Sequence, residues 1–144
     1  MIFEFPITNK EILLHCIPQR DPVVMVDALL SYTDTEVVAG LTANTSGFFV
    51  KDNKLQEPGL IEHMAQTVAL HTGFGYFIKK QEAPTGYIGS ITNLSIHRLP
   101  LVDEKVQTKA VILHEFSGVT LVNIESTING EIIAEGQMKT VIAK

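Results

Sequence analysis

The side chains best suited to do chemistry in this sequence lie close together, between Glu62 and Gln66. Glu62, His63 and Gln66 place a carboxyl group, an imidazole and an amide within little more than one helical turn. A carboxyl group or an imidazole held beside a reacting carbonyl compound can transfer protons as a general acid or base. The pattern therefore predicts proton-transfer chemistry, with Glu62 and His63 as candidate catalytic residues.

Helix geometry separates these two candidates. Adjacent helix positions point about 100° apart, whereas positions four apart share a face. If Glu62 faces a site, Gln66 faces it too and can orient the carboxylate, while His63 points away. The alternative for Glu62 is a carboxylate near a helix start that interacts only with the helix dipole, worth about 0.3–1 kcal/mol.

The other histidines and the cysteine are weaker candidates. His15 ends a predicted short helix and is either a catalytic imidazole or a surface or capping group. His71 is typical of a residue at the edge of a core whose ring is hydrogen-bonded to a backbone carbonyl group. Cys16 is expected to be a small buried apolar residue. His63 and His71 share a helix face, but no carboxylate stands at ligand spacing, so we expect no metal and no cofactor.

The composition is that of a globular protein with an acidic balance. At 144 residues the chain can bury about two-thirds of its unfolded surface, so we expect one domain over residues 1–144. The net charge of -5 argues against non-specific binding of nucleic acid. The single cysteine cannot form an internal disulfide, and neither a signal peptide nor an apolar run of roughly 20 residues is apparent. We therefore expect a cytoplasmic protein without a membrane partner.

The elements that position Glu62 begin with the only long helical pattern, over residues 57–80. Pro58 suits a first turn, because its missing N–H group would have no partner there. Apolar side chains at helical spacing predict a face directed at a core: Ile61, Met64, Ala65, Val68, Ala69 and Thr72. Ala65, Ala69 and Gly73 stand four residues apart, so another backbone surface can come very close. We expect that surface to be a curved sheet.

Alternating and β-branched segments flank this helix in the sequence. A short helix over residues 8–15, capped by Thr8 or Asn9, comes first. Asn129-Gly130 is the strongest hairpin signal, since a type I′ turn needs two residues with positive φ. The predicted strands cover residues 23–30, 36–45, 87–98, 105–116, 119–128 and 131–142, with a loop over residues 46–58.

This order excludes a parallel doubly wound sheet, which needs alternating crossover helices. It predicts an α+β protein in which one antiparallel sheet wraps around a single long helix, the arrangement called the hotdog fold. Two such sheets usually hide their edges by pairing with each other, so we expect a dimer.

Three segments resemble the 3-hydroxyacyl-ACP dehydratases of fatty-acid synthesis, in the same order along the chain. Glu62–Gln66 resembles their Glu-Ala-Met-Ala-Gln signature, Pro18–Asp27 their Pro-His-Arg-x-Pro-hydrophobic-Asp segment, and His97–Val102 their Arg-x-Pro-Val segment. Gly59–Gln66, followed by His71–Gly73, is similar to the branch found beside aryl-polyene pigment synthesis, whose helix reads Gly-Ile-Glu-Tyr-Met-Ala-Gln. By this resemblance the chain is identified as a member of the dehydratase family.

The resemblance implies reversible loss of water from a 3-hydroxyacyl thioester to give the trans-2-enoyl thioester. In the family a loop histidine and a helix-start acid come from opposite protomers, and backbone N–H groups at the helix start polarise the thioester carbonyl group. Glu62 stands at the position of the acid, whereas Phe48 stands at the position of the histidine. The missing imidazole is then supplied by His15, by His63 or by a partner subunit.

The same resemblance implies the residues that contact substrate. Gly59 leaves room for a thioester at the helix start, with Leu60 and Gln66 beside it. Phe48 and Phe49 line an acyl tunnel, belong to the core, or do both.

The expected partners are an acyl carrier protein or CoA thioester, and either a second copy of the chain or a related hotdog subunit. Two alternatives stay open. One is a non-catalytic subunit that completes a heterodimeric dehydratase or holds an acyl chain. The other is an acyl thioesterase, in which a helix carboxylate directs water at the thioester carbonyl group.

Overall fold

The computed structural model describes residues 3–143, in which a long helix packs against a six-stranded antiparallel sheet. The helices are α1 (Lys10–Cys16) and α2 (Glu57–Ile78). The strands are β1 (Ala28–Thr33), β2 (Glu36–Thr42), β3 (Val50–Lys51), β4 (Lys54–Leu55), β5 (Gly86–Ile96), β6 (Lys105–Phe116), β7 (Val119–Ile128) and β8 (Glu131–Ile142). The α+β arrangement expected from the sequence is confirmed. Among these residues, neither helix is long and apolar enough to span a bilayer.

The sheet has the strand order β1-β2-β6-β7-β8-β5, and every neighbouring pair is antiparallel. The strands β6, β7 and β8 coincide with their predicted ranges. Asn129 and Gly130 have φ values of 49° and 82°, as a type I′ turn requires. The separate β3–β4 hairpin lies within the segment predicted to be a loop.

The short helix α1 starts after Asn9, whose side-chain oxygen accepts a hydrogen bond from the backbone N–H of Ile12 at 3.2 Å. This is the predicted N-cap, with Asn9 rather than Thr8 in the role. Helix α2 starts without a side-chain cap, because the Gln56 amide donates instead to the carbonyl oxygens of Lys51 and Lys54. Gln56 therefore ties the helix start to the β3–β4 hairpin.

The core lies between α2 and one face of the sheet. Its largest fully buried side chains include Leu60, Met64, Leu70, Phe74, Ile124 and Met138. Thr72, predicted on the apolar face of the helix, is exposed. The buried part of α2 is thus different from the predicted stripe, because Leu60, His63, Gln66, Thr67, Leu70 and Phe74 are buried as well.

The close approach predicted at the small residues of α2 involves a helix rather than the sheet. A β-carbon on Gly73 would overlap the backbone carbonyl group of Cys16, at the end of α1. Gly73 is therefore required by the packing of α1 on α2, and the expectation of a closely wrapped sheet at this position is wrong.

The strand predicted over residues 23–30 lies further along the chain in the structure, where β1 begins only at Ala28 and continues to Thr33. The backbone N–H and C=O groups of Met25 bond to side chains of α2 instead of a neighbouring strand. An apolar run thus satisfies its backbone without sheet pairing.

Candidate active site

Glu62 lies six residues into α2 and is half-buried. Its Oε1 atom accepts a hydrogen bond from the Nε2 amide of Gln66 at 3.0 Å. None of the ion pairs among residues 3–143 involves Glu62. The carboxylate is therefore oriented by a neutral donor and is not neutralised by a cation of its own protomer.

Gln66 holds this carboxylate from a fully buried position. Its Oε1 atom accepts the backbone N–H of Met25 at 2.7 Å, and its Nε2 atom also donates to the carbonyl oxygen of Val23 at 2.7 Å. With both amide hydrogens and the oxygen engaged, the side chain has one orientation. The sequence-based expectation that Gln66 orients Glu62 agrees with this contact, while its role toward substrate stays a prediction.

His63 is also fully buried, on the side of α2 that faces the sheet. Its Nδ1 atom lies 2.7 Å from the carbonyl oxygen of Met25, and its Nε2 atom lies 2.8 Å from Oγ1 of Thr108. Thr108 in turn lies 2.6 Å from the hydroxyl of Ser126. Both ring nitrogens are engaged, so His63 offers no free atom to a substrate in this protomer.

Burial lowers the pKa of His63 to about 4, because desolvation penalises the charged imidazolium. The ring is therefore neutral near pH 7. Thr108 and Ser126 were not candidates in the sequence. A signal for them exists, since both carry hydroxyl groups at positions that alternation assigns to the buried face of β6 and β7.

His15 is exposed at the end of α1, and its ring packs edge-on against Phe77 with centroids 5.1 Å apart. Phe77 is fifteen residues beyond Glu62 on the same helix, about 22 Å along the axis at 1.5 Å per residue. His15 and Glu62 therefore cannot form a catalytic pair within one protomer.

His71 and Cys16 lie as predicted. The Nε2 of His71 donates to the carbonyl oxygen of Thr33 at 2.9 Å, and its ring stacks on Tyr32. Cys16 is buried, and desolvation raises the pKa of its thiol to about 11. Neither group is available for proton transfer beside Glu62.

Phe48 and Phe49 line a cavity of about 550 Å³ together with residues 24–27 and 41–44. The two rings meet edge to face at 4.9 Å. Phe48 is 63% exposed, whereas Phe49 is half-buried. The position where the family resemblance places a histidine thus carries an exposed aromatic ring at the wall of a cavity.

Gly59 is buried beneath Phe49 and Leu55. A β-carbon there would lie 2.5 Å from Cβ of Phe49 and 2.6 Å from Cδ1 of Leu55. The space that the absent side chain leaves is thus filled by Phe49 and Leu55. The N–H groups of Gly59 and Leu60 both donate to the carbonyl oxygen of Gln56, and Leu60 is fully buried.

A second cavity, of about 780 Å³, lies between α2 and the sheet. Ala65 and Ala69 form its helix wall, and Ile112 and Val122 lie on its sheet wall. Glu62 precedes Ala65 by three residues on the same side of the helix but lines neither cavity. Within residues 3–143, no group of three or more histidine, cysteine or acidic residues is arranged to hold a metal.

Comparison with known proteins assigns this chain to a family. A family model described as ApeP-like, ApeP dehydratase, matches residues 12–143. The curated 3-hydroxyacyl-[acyl-carrier-protein] dehydratase FabZ of Acetivibrio thermocellus is 23% identical over 139 residues, which cover 92% of each chain.

Solved structures share the fold. The dehydratase heterocomplex ApeI:P from Xenorhabdus doucetiae matches with a TM-score of 0.84 at 17% identity, covering 92% of this chain and 91% of that chain. A hypothetical thioesterase with coenzyme A from Streptococcus pneumoniae matches with a TM-score of 0.64 at 11% identity, covering 80% and 84%. These likenesses confirm the hotdog fold. Since the family model spans nearly all of the sequence, the chain belongs to the ApeP-like dehydratase family, whose kind of activity is that of a hydro-lyase.

Proposed function

We propose that the chain is a subunit of a dehydratase that removes water from 3-hydroxyacyl thioesters of an acyl carrier protein or CoA, with Glu62 as its acid. The observation that carries this proposal is the Glu62 carboxyl group, held by buried Gln66 at the start of α2. Membership of the dehydratase family and the match to FabZ support the type of substrate.

Dehydration breaks the C2–H and C3–O bonds of the substrate and forms the C2=C3 double bond. A base removes the C2 proton, and an acid delivers a proton to the departing C3 hydroxyl, which leaves as water. We assign the second step to Glu62 in its protonated form. Negative charge that develops on the thioester oxygen is favoured beside the positive end of the α2 dipole.

The base at C2 is proposed to come from a partner subunit. Within one protomer both ring nitrogens of His63 are engaged. His15 packs against Phe77, which lies about 22 Å beyond Glu62 along α2, and His71 lies about 14 Å beyond Glu62 and is bonded to a backbone carbonyl group. A residue from a second subunit would complete the site beside the cavity lined by Phe48 and Phe49, which is proposed to take the acyl chain.

The surface through which this partner binds is proposed to be strand β5. Among the described strands it pairs only with β8, so its other edge presents unpaired backbone groups. Tyr87, Ile88 and Ile91 expose 61%, 41% and 39% of their surface on this strand. Pairing through β5 would cover these apolar side chains and extend the sheet across two subunits.

The test compares Glu62→Gln with Glu57→Gln, which removes an exposed carboxylate from the first turn of the same helix. Each variant is purified with its natural partner subunit, and hydration of a crotonyl thioester is followed by loss of enoyl absorbance. Glu62→Gln should lower turnover at least about 100-fold, while Glu57→Gln leaves it within about twofold.

The alternatives give different results in the same assay. Full turnover of Glu62→Gln in a complex that is active only when both subunits are present would assign this chain a non-catalytic role. The engagement of His63 is the observation that favours this second candidate. Release of free thiol from the acyl thioester, without a change at C2–C3, would instead assign a thioesterase.

A further inference from the structure

Two sets of hydrogen bonds, joined by the backbone of Met25, connect the sheet with Glu62. The first set runs from Ser126 on β7 through Thr108 on β6 and His63 to the carbonyl oxygen of Met25. The second set runs from the N–H group of Met25 through Gln66 to the carboxylate of Glu62. None of the four side chains has solvent-exposed surface: Ser126, Thr108, His63 and Gln66. Breaking one of these hydrogen bonds would leave a buried polar group without a partner, which is unfavourable.

Chemistry fixes the direction of each bond in the first set. A backbone carbonyl oxygen only accepts, so Nδ1 of His63 carries the hydrogen that is donated to Met25. In the neutral ring Nε2 is then an acceptor, and the hydroxyl of Thr108 donates to it. Because the Thr108 hydrogen is used, Ser126 donates to Thr108.

Met25 joins the two sets. Its carbonyl group is bound by His63, and its N–H group is bound by Gln66, three residues further along α2. The same segment, residues 24–27, lines the cavity beside Phe48 and Phe49. Both backbone polar groups of Met25 are therefore bound to α2, the carbonyl group by His63 and the N–H group by Gln66. A shift of Met25 at one of these contacts moves the other contact as well.

We propose that His63 is a positioning residue that sets the place of the Glu62 carboxylate through Met25 and Gln66. Its neutral imidazole does not touch substrate. His63 holds Met25 against α2, and this fixes the Gln66 amide in the orientation in which it donates to Val23 and Glu62. This inference rests on the proposed function for its effect on turnover, and on contacts alone for its effect on Gln66.

The experiment uses two substitutions at His63 that differ in one bond. His63→Asn retains an amide N–H near the position of Nδ1 and can still donate to Met25, whereas His63→Leu cannot. The side-chain amide signals of Gln66 are followed by NMR, with Glu62→Gln providing the signature of a lost carboxylate contact. Turnover and KM are measured in the assembly in which the wild-type chain is active.

His63→Leu should move the Gln66 signals toward the Glu62→Gln signature and lower kcat about tenfold with KM nearly unchanged, as a slight misplacement of a catalytic group does. His63→Asn should keep the Gln66 signals and kcat close to those of the wild type. Thr67→Val is the control, because the Thr67 hydroxyl donates only to the backbone carbonyl of His63 and the substitution keeps the shape. It should leave both measurements unchanged.

Gln66 signals that stay in place in His63→Leu would overturn the proposal, as would an equal loss of kcat in Thr67→Val. If His63→Leu does not fold, Thr108→Val tests the next link, with the same expected direction and a smaller shift. An assembly without any dehydratase activity would refute the proposed function, and the Gln66 signals would still decide whether His63 positions the carboxylate.

Discussion

Gly73 of α2 packs directly against the backbone carbonyl group of Cys16, the last residue of α1. Gly73→Ala would place a methyl group inside that carbonyl, and two helices would have to separate. The gain in helix propensity, about 1 kcal/mol, is smaller than the expected steric cost of about 3 kcal/mol or more. Gly73→Ala should therefore lower the free energy of unfolding, which is measured as a lower midpoint of urea unfolding.

Gly75→Ala is the matched control for that substitution. Its new methyl group would meet the hydroxyl of Tyr32 at 2.9 Å, at the far end of a side chain that can move. We expect Gly75→Ala to change the free energy of unfolding by no more than about 1 kcal/mol. Equal destabilisation by the two substitutions would contradict the packing described for α1.

The buried imidazole of His63 makes stability depend on pH in a defined window. Its pKa is about 4 in the folded protein and about 6.5 when unfolded, so the unfolded chain takes up the proton first as the pH falls. The free energy of unfolding should therefore decrease from pH 6.5 down to pH 4, by about 3 kcal/mol in total from this group.

Unfolding by urea across this window in the wild type and in His63→Asn isolates the contribution. The substituted chain should be less stable at pH 7, with a flatter profile between pH 6.5 and pH 4. Parallel profiles for the two proteins would mean that folding does not lower the pKa of His63.

Phe48 and Phe49 should separate substrate binding from stability. Phe48 is exposed at the cavity wall, so Phe48→Ala should change the free energy of unfolding by less than about 0.5 kcal/mol. Under the proposed function, its loss should raise KM several-fold for a long acyl thioester and leave the crotonyl thioester unaffected.

Phe49→Ala provides the contrast, since Phe49 is half-buried and covers Gly59. It should destabilise the fold by about 2 kcal/mol. An unchanged preference for chain length in Phe48→Ala would remove this cavity from the proposed binding site.

Cys16 should be inert toward thiol reagents while the protein is folded. The thiol is buried with a pKa of about 11, so at pH 8 its thiolate fraction is about 100-fold below that of an exposed cysteine. Labelling with a disulfide reagent should be slow in buffer and rapid in urea. Fast labelling of the folded chain would show that α1 opens readily from α2.

Much of this fold could be predicted because its signals are local. The period of two in β6 to β8 and the turn at Asn129 act over a few residues, and those strands lie where alternation places them. The segment around Met25 has the same apolar character as a strand. Its hydrogen-bond partners are side chains about forty residues away, and no local pattern reports them.

The candidate site divides in the same way. Spacing along one helix was sufficient to predict that Gln66 reaches Glu62 and that His63 points elsewhere. What His63 contacts depends on Thr108, which folding brings across from the sheet. Under the proposed function the second proton-transfer group comes from a partner subunit, so its origin and the catalytic role of Glu62 stay predictions.

The manner in which Met25 is held has an evolutionary consequence. In a sheet, the hydrogen bonds of a residue come from backbone that every amino acid except proline provides, so substitution rarely moves the strand. Met25 depends instead on the side chains at positions 63 and 66. Single substitutions at either position can therefore reshape the cavity wall, and under the proposed function related chains that differ there are expected to accept acyl groups of different size.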